Sequence, residues 1–407
     1  MPTRRGIFIF LFTLIILITA WLSGLVLVYL IFAVSLGLIL LSYALSHLLV
    51  FNLEIQRQVS SPSYEDDIAT VCIKLRNRLT ILDQTLEIED DFTAAESYKR
   101  KKTILFNGLS KGSLDYSYQE VCYKRGLYRI GPFRVKIFEP LGLFYVQKIL
   151  PVYTELVVYP RVFHVQQLPF ILGHLAPRFG EQTTRLSGDY EEFYGIREYH
   201  QEDGWRRIHW PSTARLSELM VKHFELSSQW KATLILDAHK SNNTGFGKNT
   251  VFEYEVKIAA SLAKYLLFRN ASFGLIASNK NQLYMRMSKG KDHFFKMLHR
   301  LAVIDADGDV LLRQVIAQNQ VKIPSNSSLI LITDQCSKRL VDFLWHLKLK
   351  KNIGVIPIIL NKGSFMPLKQ QKTAQKKLNY IKNVFDKISP RVYFINCQDD
   401  LKIHFAR

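Results

Sequence analysis

Two aspartates follow directly on apolar segments that are predicted to be strands. Asp237 ends the segment 232–236, and Asp334 ends the segment 329–333. In open sheets of parallel strands, ligands bind beyond the carboxyl ends of the strands, where the strand order reverses. If these two strands are neighbours at that point, both carboxylates face one crevice, and Ser241 could add a hydroxyl oxygen. Such oxygen ligands suit a hard divalent cation, so the sequence predicts a Mg²⁺ site at Asp237, Ser241 and Asp334.

The same aspartates have a structural alternative. Aspartate caps loops and the first turns of helices well, and both residues could serve only in that way. His239 and Lys240, which lie between Asp237 and Ser241, are also unfavourable neighbours for a bound cation. The cation site and the capping role both stay open at this point, and no other cofactor is indicated.

A second concentration of reactive residue types lies at 188–225, where charged, aromatic and turn residues are densest. Within it the sequence predicts a turn at 202–204, a short strand at 208–210 and a loop through Pro211 and Ser212. His209, Asp203 and Ser212 could be combined into a hydrolytic triad, but three such residues often fall close together in a polar stretch by chance. Ser212 lacks the context of a nucleophile elbow. The chain also has neither a Gly-rich phosphate loop nor His-x-x-x-His zinc spacing. We therefore do not expect an enzyme.

Composition limits the class of protein. The 407 residues are 48% hydrophobic and 12% aromatic, which excludes a disordered or fibrous chain. The net charge of +19 makes nucleic acid, an anionic membrane surface or an acidic protein the candidate partners. Trp205 and Trp210 could stack nucleobases, but they could equally pack a turn onto the core, so nucleic-acid binding is the weaker interpretation. The cysteines are far apart, which suggests neither a zinc ribbon nor a disulfide framework.

An apolar segment at 7–51 contains no Lys, Arg, Asp or Glu. One helix of that length would be about twice as long as the ~30 Å hydrocarbon core of a bilayer. We therefore predict two membrane helices, 7–22 and 25–48, with a break near Ser23 and Gly24. Basic residues lie before the first helix and after the second, which places both termini and the soluble domains in the cytoplasm. A cleaved signal peptide is the alternative, but the apolar segment extends far beyond a typical signal sequence.

The remaining elements predict an α+β protein with several domains. Short strands separated by turns dominate the region after the membrane helices, as in a small antiparallel β-sandwich. From residue 230 strands alternate with helices, including a Lys-rich helix at 369–387, which predicts a doubly wound α/β domain with a parallel sheet. The predicted domains are 1–53 for the membrane helices, 54–165 for the sandwich, 166–229 for a connecting segment and 230–407 for the α/β domain.

The stretch at 188–225 resembles the signature of the domain-of-unknown-function family DUF 58. The resemblance extends to turn motifs at 125–132 and 140–144 and to the membrane hairpin. Glu202 departs from the family pattern, since the family usually has glycine at that position. The matching segments are Tyr194-Gly195-Ile196-Arg197-Glu198-Tyr199, Glu202-Asp203, Arg207-Ile208-His209-Trp210, Thr213-Ala214-Arg215 and Leu219-Met220-Val221-Lys222.

The resemblance implies a protein of the bacterial cytoplasmic (inner) membrane with a von Willebrand factor A-like α/β domain. It also implies a MoxR-type AAA+ ATPase as partner and a role in assembling or activating other proteins. Von Willebrand A domains that bind metal carry Asp-x-Ser-x-Ser, whereas this chain has Asp237-Ala238-His239-Lys240-Ser241. An imidazole therefore replaces one hydroxyl ligand, which weakens the prediction of a metal.

We therefore expect a non-enzymatic, membrane-tethered scaffold or adaptor whose α/β domain engages a protein partner. A divalent-metal-dependent activity and nucleic-acid binding are the alternatives. In this interpretation the signature residues form a charged and aromatic clasp between the sandwich and the α/β domain, or a docking surface. These residues are Arg197, Glu198, Asp203, Arg207, Trp210 and Arg215.

Overall fold

The computed structural model contains two compact units. The first comprises Met1–Val162, Phe246–Lys248 and Lys296–Asp305, and the second comprises Phe163–Gly245, Asn249–Phe295 and Ala306–Arg407. The structure describes residues 1–48, 53–77, 85–106, 112–166, 168, 191–200, 205, 208–226, 230–335, 337–366, 385, 389 and 392–405.

Two apolar helices begin the chain, α1 (Arg4–Ser23) and α2 (Val26–Leu48). The Thr3 hydroxyl caps α1 by accepting a hydrogen bond from the backbone N–H of Gly6, so the helix starts before the first residue of the apolar segment. Gly24 ends it in the left-handed region with a φ of 63°, which glycine adopts without strain. Both helices are long and apolar enough to cross a membrane, and they suggest membrane association.

After the two helices, the part of the first unit up to Val162 is built mainly of strands in three sheets, with the orders β1-β3-β6, β2-β10-β7 and β5-β4-β8-β9. Neighbouring strands are antiparallel except for β2 and β10. Buried and partly exposed side chains alternate along β4 and β8, as expected for strands with one face on a core. The strands are β1 (Leu53–Val59), β2 (Ser63–Tyr64), β3 (Ile68–Asn77), β4 (Thr85–Asp91), β5 (Lys101–Phe106), β6 (Gly112–Val121), β7 (Gly126–Ile130), β8 (Phe133–Phe138), β9 (Tyr145–Leu150) and β10 (Thr154–Tyr159).

Arg57 and Asp90 form an ion pair inside this unit, and neither side chain is exposed. The guanidinium also donates to the carbonyl of Ile130 at 2.8 Å and lies over the ring of Phe133, 4.0 Å from its centroid. Tyr118 Oη donates to Asp90 Oδ2 at 2.7 Å. Burial raises the pKa of Asp90, although Arg57 and Tyr118 both favour its charged form. One buried carboxylate thus links β1, β4 and β6.

From residue 191 the chain forms helices and a second set of strands. In chain order these are β11 (Glu191–Glu198), α3 (Trp210–Leu216), β12 (Met220–Leu226), β13 (Lys231–Leu236), β14 (Gly245–Phe246), β15 (Asn249–Thr250), α4 (Val251–Phe268), β16 (Ser272–Ala277), β17 (Tyr284–Ser288), α5 (Lys291–Val303), α6 (Leu312–Gln318), β18 (Ser328–Thr333), α7 (Lys338–Lys351), β19 (Gly354–Leu360), β20 (Tyr393–Ile395) and α8 (Leu401–His404).

The main sheet of the second unit has the strand order β17-β16-β13-β18-β19-β20. Its strands are parallel except for the edge strand β17, which is antiparallel to β16. Every residue of β18 and β19 is buried, which is consistent with the apolar segments 329–332 and 355–360 within them. Helix α4 packs on β13, β16 and β18, and residues of α6 and α7 join a core cluster with β18 and β19.

The secondary structure predicted for residues 208–212 was wrong. A strand at 208–210 and a loop through Pro211 were expected, but only an isolated bridge joins Ile208 to Val221, and α3 begins at Trp210. Proline is well placed in the first turn of a helix because its missing N–H would have no helical partner there. The Lys-rich segment at 369–387 lies outside the described residues except for Phe385.

Candidate functional site

Asp237 and Asp334 follow adjacent strands of the main sheet. β13 pairs with β18, with Leu236 opposite Ile332. The other neighbour of β13 is β16, the next main-sheet strand along the chain, so the strand order reverses between β13 and β18. The condition that the two strands be neighbours at the reversal is therefore met. We call Asp237, Ser241, Glu255, Asp334 and Lys362 the strand-end cluster.

Asp237 is completely buried, and both of its carboxylate oxygens accept hydrogen bonds. Oδ1 accepts from Ser278 Oγ at 3.1 Å and from the backbone N–H of His239 at 3.2 Å. Oδ2 accepts from Thr333 Oγ1 at 2.7 Å. Burial raises the pKa of Asp237, as does the charge of Asp334, while the three hydrogen bonds oppose that rise. The carboxylate therefore already has a full set of donors from the chain.

Asp334 is in a different situation. Its side chain is only 1% exposed, and neither carboxylate oxygen accepts a hydrogen bond from a described residue. Lys362 Nζ lies 3.0 Å from Oδ2 and forms an ion pair with it, but the angles are not those of a hydrogen bond. The same ammonium donates to the carbonyl of Ser241 at 2.6 Å. Lys362 is thus held between the segment after β13 and the end of β18.

Glu255 adds a third carboxyl group from α4. It is completely buried, and its two carboxyl oxygens lie 3.3 and 3.2 Å from Nδ2 of Asn242, which donates to them. The same amide donates to the carbonyl of Asp237 at 2.9 Å. Burial raises the pKa of Glu255 well above its usual value, and the charges of Asp237 and Asp334 raise it further, whereas Lys362 opposes them.

Ser241 is engaged by its own neighbours. Its Oγ is 2.9 Å from Nδ1 of His239 and accepts a hydrogen bond from Nε2 of Gln335 at 3.0 Å. Lys240 is exposed and pairs with Asp309, with 2.6 Å between Nζ and Oδ1. His239 and Lys240, which were expected to disfavour a bound cation, therefore each have a partner within the chain.

The contacts of Asp237, Ser241 and Asp334 determine whether a divalent cation fits between them. Asp237 and Ser241 are hydrogen-bonded, and the positive charge beside Asp334 is the ammonium of Lys362. Across the described residues, no group of three or more His, Cys, Asp or Glu side chains is arranged to hold a metal ion. The arrangement does not fit a resident Mg²⁺, and the metal role of Asp237, Ser241 and Asp334 stays a prediction.

Sequence reasoning missed Glu255 and Lys362. Glu255 is one of two glutamates in a helix whose residues are almost all buried, and the sequence of the helix carries no sign of their partners. Lys362 follows the buried strand β19 by two residues. A lysine at the carboxyl end of a strand is the signal that could have placed it at the same sheet edge as the aspartates.

The signature segment forms a small substructure in the second unit. β11 and β12 are antiparallel, with a register shift between Phe193 and Gly195. Thr213 Oγ1 accepts a hydrogen bond from the backbone N–H of Met220 at 3.1 Å and so ties α3 to β12. Arg197 donates to the carbonyl of Glu198 at 3.0 Å. Asp203, Arg207 and the predicted turn at 202–203 lie outside the described residues.

Large apolar side chains of this segment are exposed. Trp205 is 71% exposed and Trp210 is 63% exposed, and Arg215 at the end of α3 is also exposed. We call the signature surface the set Arg197, Trp205, Trp210, Arg215, Leu216 and Leu219.

Of the three residues that could be combined into a hydrolytic triad, the structure describes His209 and Ser212. His209 Nδ1 lies 2.8 Å from Ser212 Oγ at the start of α3, and Asp203 lies outside the described residues. The two residues are three positions apart, and the backbone N–H of Ser212 donates to the carbonyl of His209 at 3.1 Å. The His–Ser contact is therefore local to the first turn of the helix.

Solved structures resemble this chain only weakly. Proximal thread matrix protein 1 from the mussel byssus is 15% identical, with a TM-score of 0.31, over 44% of this chain and 46% of its own. The CARDB domain of a Pyrococcus furiosus protein, solved in complex with di-metal ions, is 11% identical, with a TM-score of 0.19, over 26% of this chain and 92% of its own. Likeness at this level assigns no fold.

One relative and one family model match this chain in sequence. The uncharacterized protein YeaD of Bacillus subtilis (strain 168) is 26% identical over 247 residues, which are 58% of this chain and 58% of that protein. This chain therefore covers little more than half of that relative. The resemblance inferred from the signature motifs is confirmed over less than half of the chain. Residues 195–364 match the family described as protein of unknown function DUF58.

Proposed function

We propose that this protein is a membrane-tethered scaffold or adaptor of the DUF58 family that docks a protein partner through its signature surface. The partner would be a MoxR-type AAA+ ATPase, with which the protein assists the assembly or activation of other proteins. The family resemblance supplies this partner. The second unit would be a doubly wound, von Willebrand A-like domain that presents the surface.

The tether is supported by α1 and α2. Between them the described residues carry no acidic or basic side chain from Gly6 to Ser46, and both helices are long enough to cross a bilayer. The basic residues at Arg4 and Arg5, and those that follow α2, favour a cytoplasmic position for both ends. The protein would thus sit in the bacterial inner membrane with its soluble units in the cytoplasm.

The exposure of Trp205 and Trp210 is the observation that carries the docking proposal. A tryptophan buried in a complex contributes more binding energy than most residues, and interface hot spots are enriched in Trp and Arg. The signature surface combines both types with the exposed side chains of Leu216 and Leu219, which are 54% and 40% exposed. Where large apolar side chains form one exposed patch, that patch usually marks a site of interaction.

The α/β assignment is supported by the main sheet. Parallel strands alternate with helices along the chain, and the strand order reverses between β13 and β18. In such sheets the strand ends at the reversal are the usual binding region. Here that region holds an ion pair between the buried Asp334 and the partly exposed Lys362, which favours a binding module over metal-dependent chemistry.

Purification of the tagged full-length protein from cross-linked native membranes tests the proposal. We expect an AAA+ ATPase to copurify with the wild type and to be reduced at least about tenfold in the double variant Trp205→Ser and Trp210→Ser. Trp345→Ser is the matched control, because Trp345 is a 40%-exposed tryptophan on α7, outside the signature surface. It should retain the partner.

Two results would count against the proposal. Recovery of no AAA+ ATPase with the wild type would remove the partner, and undiminished recovery with a folded double variant would remove the signature surface as the docking site. Folding is checked by the melting temperature of each variant in detergent, since substitution of exposed side chains usually changes stability by no more than about 0.5 kcal/mol.

A further inference from the structure

The strand-end cluster contains three buried carboxyl groups, which differ in the hydrogen bonds they accept. Asp237 has donors on both oxygens, and Glu255 has the amide of Asn242. Asp334 has no hydrogen-bond donor among the described residues, and its side chain is 1% exposed. A buried carboxylate without donors needs a cation close by, because the charged form is otherwise strongly disfavoured in a low-dielectric environment.

Lys362 supplies that cation from within the chain. Its Nζ is 3.0 Å from Oδ2 of Asp334 and 2.6 Å from the carbonyl of Ser241. The side chain is 28% exposed, so it reaches the carboxylate from the solvent side of the cluster. The backbone holds it there, since Lys362 begins the turn Lys362–Phe365 directly after β19 and Asn361. The ammonium therefore contacts one carboxylate oxygen and one carbonyl oxygen.

Those two oxygens are also the kind of ligand that a hard divalent cation uses. Carboxylate and backbone carbonyl oxygens bind Mg²⁺ and Mn²⁺, and Mg²⁺ usually keeps several waters and takes only one or two carboxylates from the protein. A divalent cation could thus use Asp334, the Ser241 carbonyl and waters. It cannot do so while an ammonium occupies the same position.

We infer that Lys362 acts as a tethered counter-ion that closes a latent divalent-cation site, and that neutralising this lysine opens the site. Asp334 is the carboxylate ligand of the latent site, and the Ser241 carbonyl is its second protein ligand. The wild-type chain accordingly holds its cluster together without metal. This inference does not depend on the docking role of the signature surface.

Mn²⁺ binding to the full-length protein in detergent tests the inference, with free Mn²⁺ followed by its electron paramagnetic resonance signal. We expect Lys362→Met to bind one Mn²⁺ per chain at least about tenfold more tightly than the wild type, because the repulsive ammonium is gone. Adding Asp334→Asn to that variant should abolish the gain. Lys136→Met is the control: it also breaks a lysine–carboxylate pair, here with Glu87 in the first unit, and should behave as the wild type.

The inference is overturned if the wild type binds Mn²⁺ as tightly as Lys362→Met, or if the gain survives Asp334→Asn. Should Lys362→Met fail to fold, Lys362→Gln replaces it, because the amide keeps a donor for the Ser241 carbonyl. If neither variant folds without metal, the inference requires Mn²⁺ to restore the folded state, and failure of Mn²⁺ to do so also overturns it.

Discussion

Thr333 Oγ1 donates a 2.7 Å hydrogen bond to Oδ2 of Asp237, and so joins the ends of β13 and β18. Asp237 is completely buried, so loss of this donor would leave part of a buried carboxylate unsatisfied. Through this bond, Thr333 at the end of β18 holds the carboxylate of Asp237 in place.

Thr333→Val should therefore lower the free energy of unfolding by about 1–3 kcal/mol. Thr233→Val is a matched control on β13, because Thr233 is buried but its hydroxyl has no hydrogen-bond partner among the described residues. That substitution should be neutral or slightly stabilising. Chemical denaturation of the full chain in detergent checks both, and equal losses for the two variants would contradict the assigned role of Thr333.

Glu255→Gln should make stability less sensitive to pH. Burial and the charges of Asp237 and Asp334 raise the pKa of Glu255 in the folded protein. A carboxyl group with a raised folded-state pKa contributes stability that is fully present below its unfolded-state pKa and is lost as the pH rises through the folded-state pKa. The melting temperature of the wild type should thus fall more steeply from about pH 5 to pH 9 than that of Glu255→Gln.

Asp237 and Glu218 serve as references for the pH dependence of Glu255→Gln. Asp237 also has a raised pKa and acts in the same direction, so the variant should have a reduced slope and not a zero slope. Glu218→Gln changes an exposed glutamate and should keep the wild-type slope. A variant at Glu255 with the wild-type slope would show that this carboxyl group does not take up a proton on folding.

Arg57→Met should be among the most destabilising substitutions in the first unit. Among the described residues it leaves buried Asp90 with only the Tyr118 hydroxyl as a side-chain donor, and breaking a buried ion pair in this way costs about 3–5 kcal/mol. Arg134→Met breaks a partly exposed pair with Glu89 and should cost no more than about 1 kcal/mol. Denaturation curves of the two variants measure the difference, and similar losses would refute it.

Gly308→Ala should disturb the segment that carries Asp237 and Ser241. A Cβ at Gly308 would lie 1.8 Å from the carbonyl oxygen of Ser278, so the backbone must move. Gly308 also donates to the carbonyl of Ala238 at 3.0 Å, and such overpacking typically costs about 1–3 kcal/mol or more. Gly37→Ala, where an added Cβ meets no atom within 4 Å, should cost far less than Gly308→Ala. Thermal unfolding of the two variants in detergent measures the difference, and equal losses would contradict the assigned close approach.

Much of the local structure followed from the residues. The uncharged segment after Arg5 became α1 and α2, and the break near Gly24 was placed correctly because glycine permits the left-handed turn. Apolar segments ending in aspartate became β13 and β18. The start of α3 was missed because Pro211 was taken to indicate a loop, although proline is equally suited to the first turn of a helix.

By itself, the sequence determined the two N-terminal apolar helices, the alternation of strands and helices, and the position of two aspartates at strand ends, since local apolar periodicity encodes each of these. Only the tertiary structure decided what surrounds the aspartates. The register of β13 against β18 brought Thr333 to Asp237, and long-range packing of α4 and the turn after β19 brought Glu255 and Lys362 to the same place. Such contacts depend on residues far apart in the chain, which periodicity and spacing do not specify.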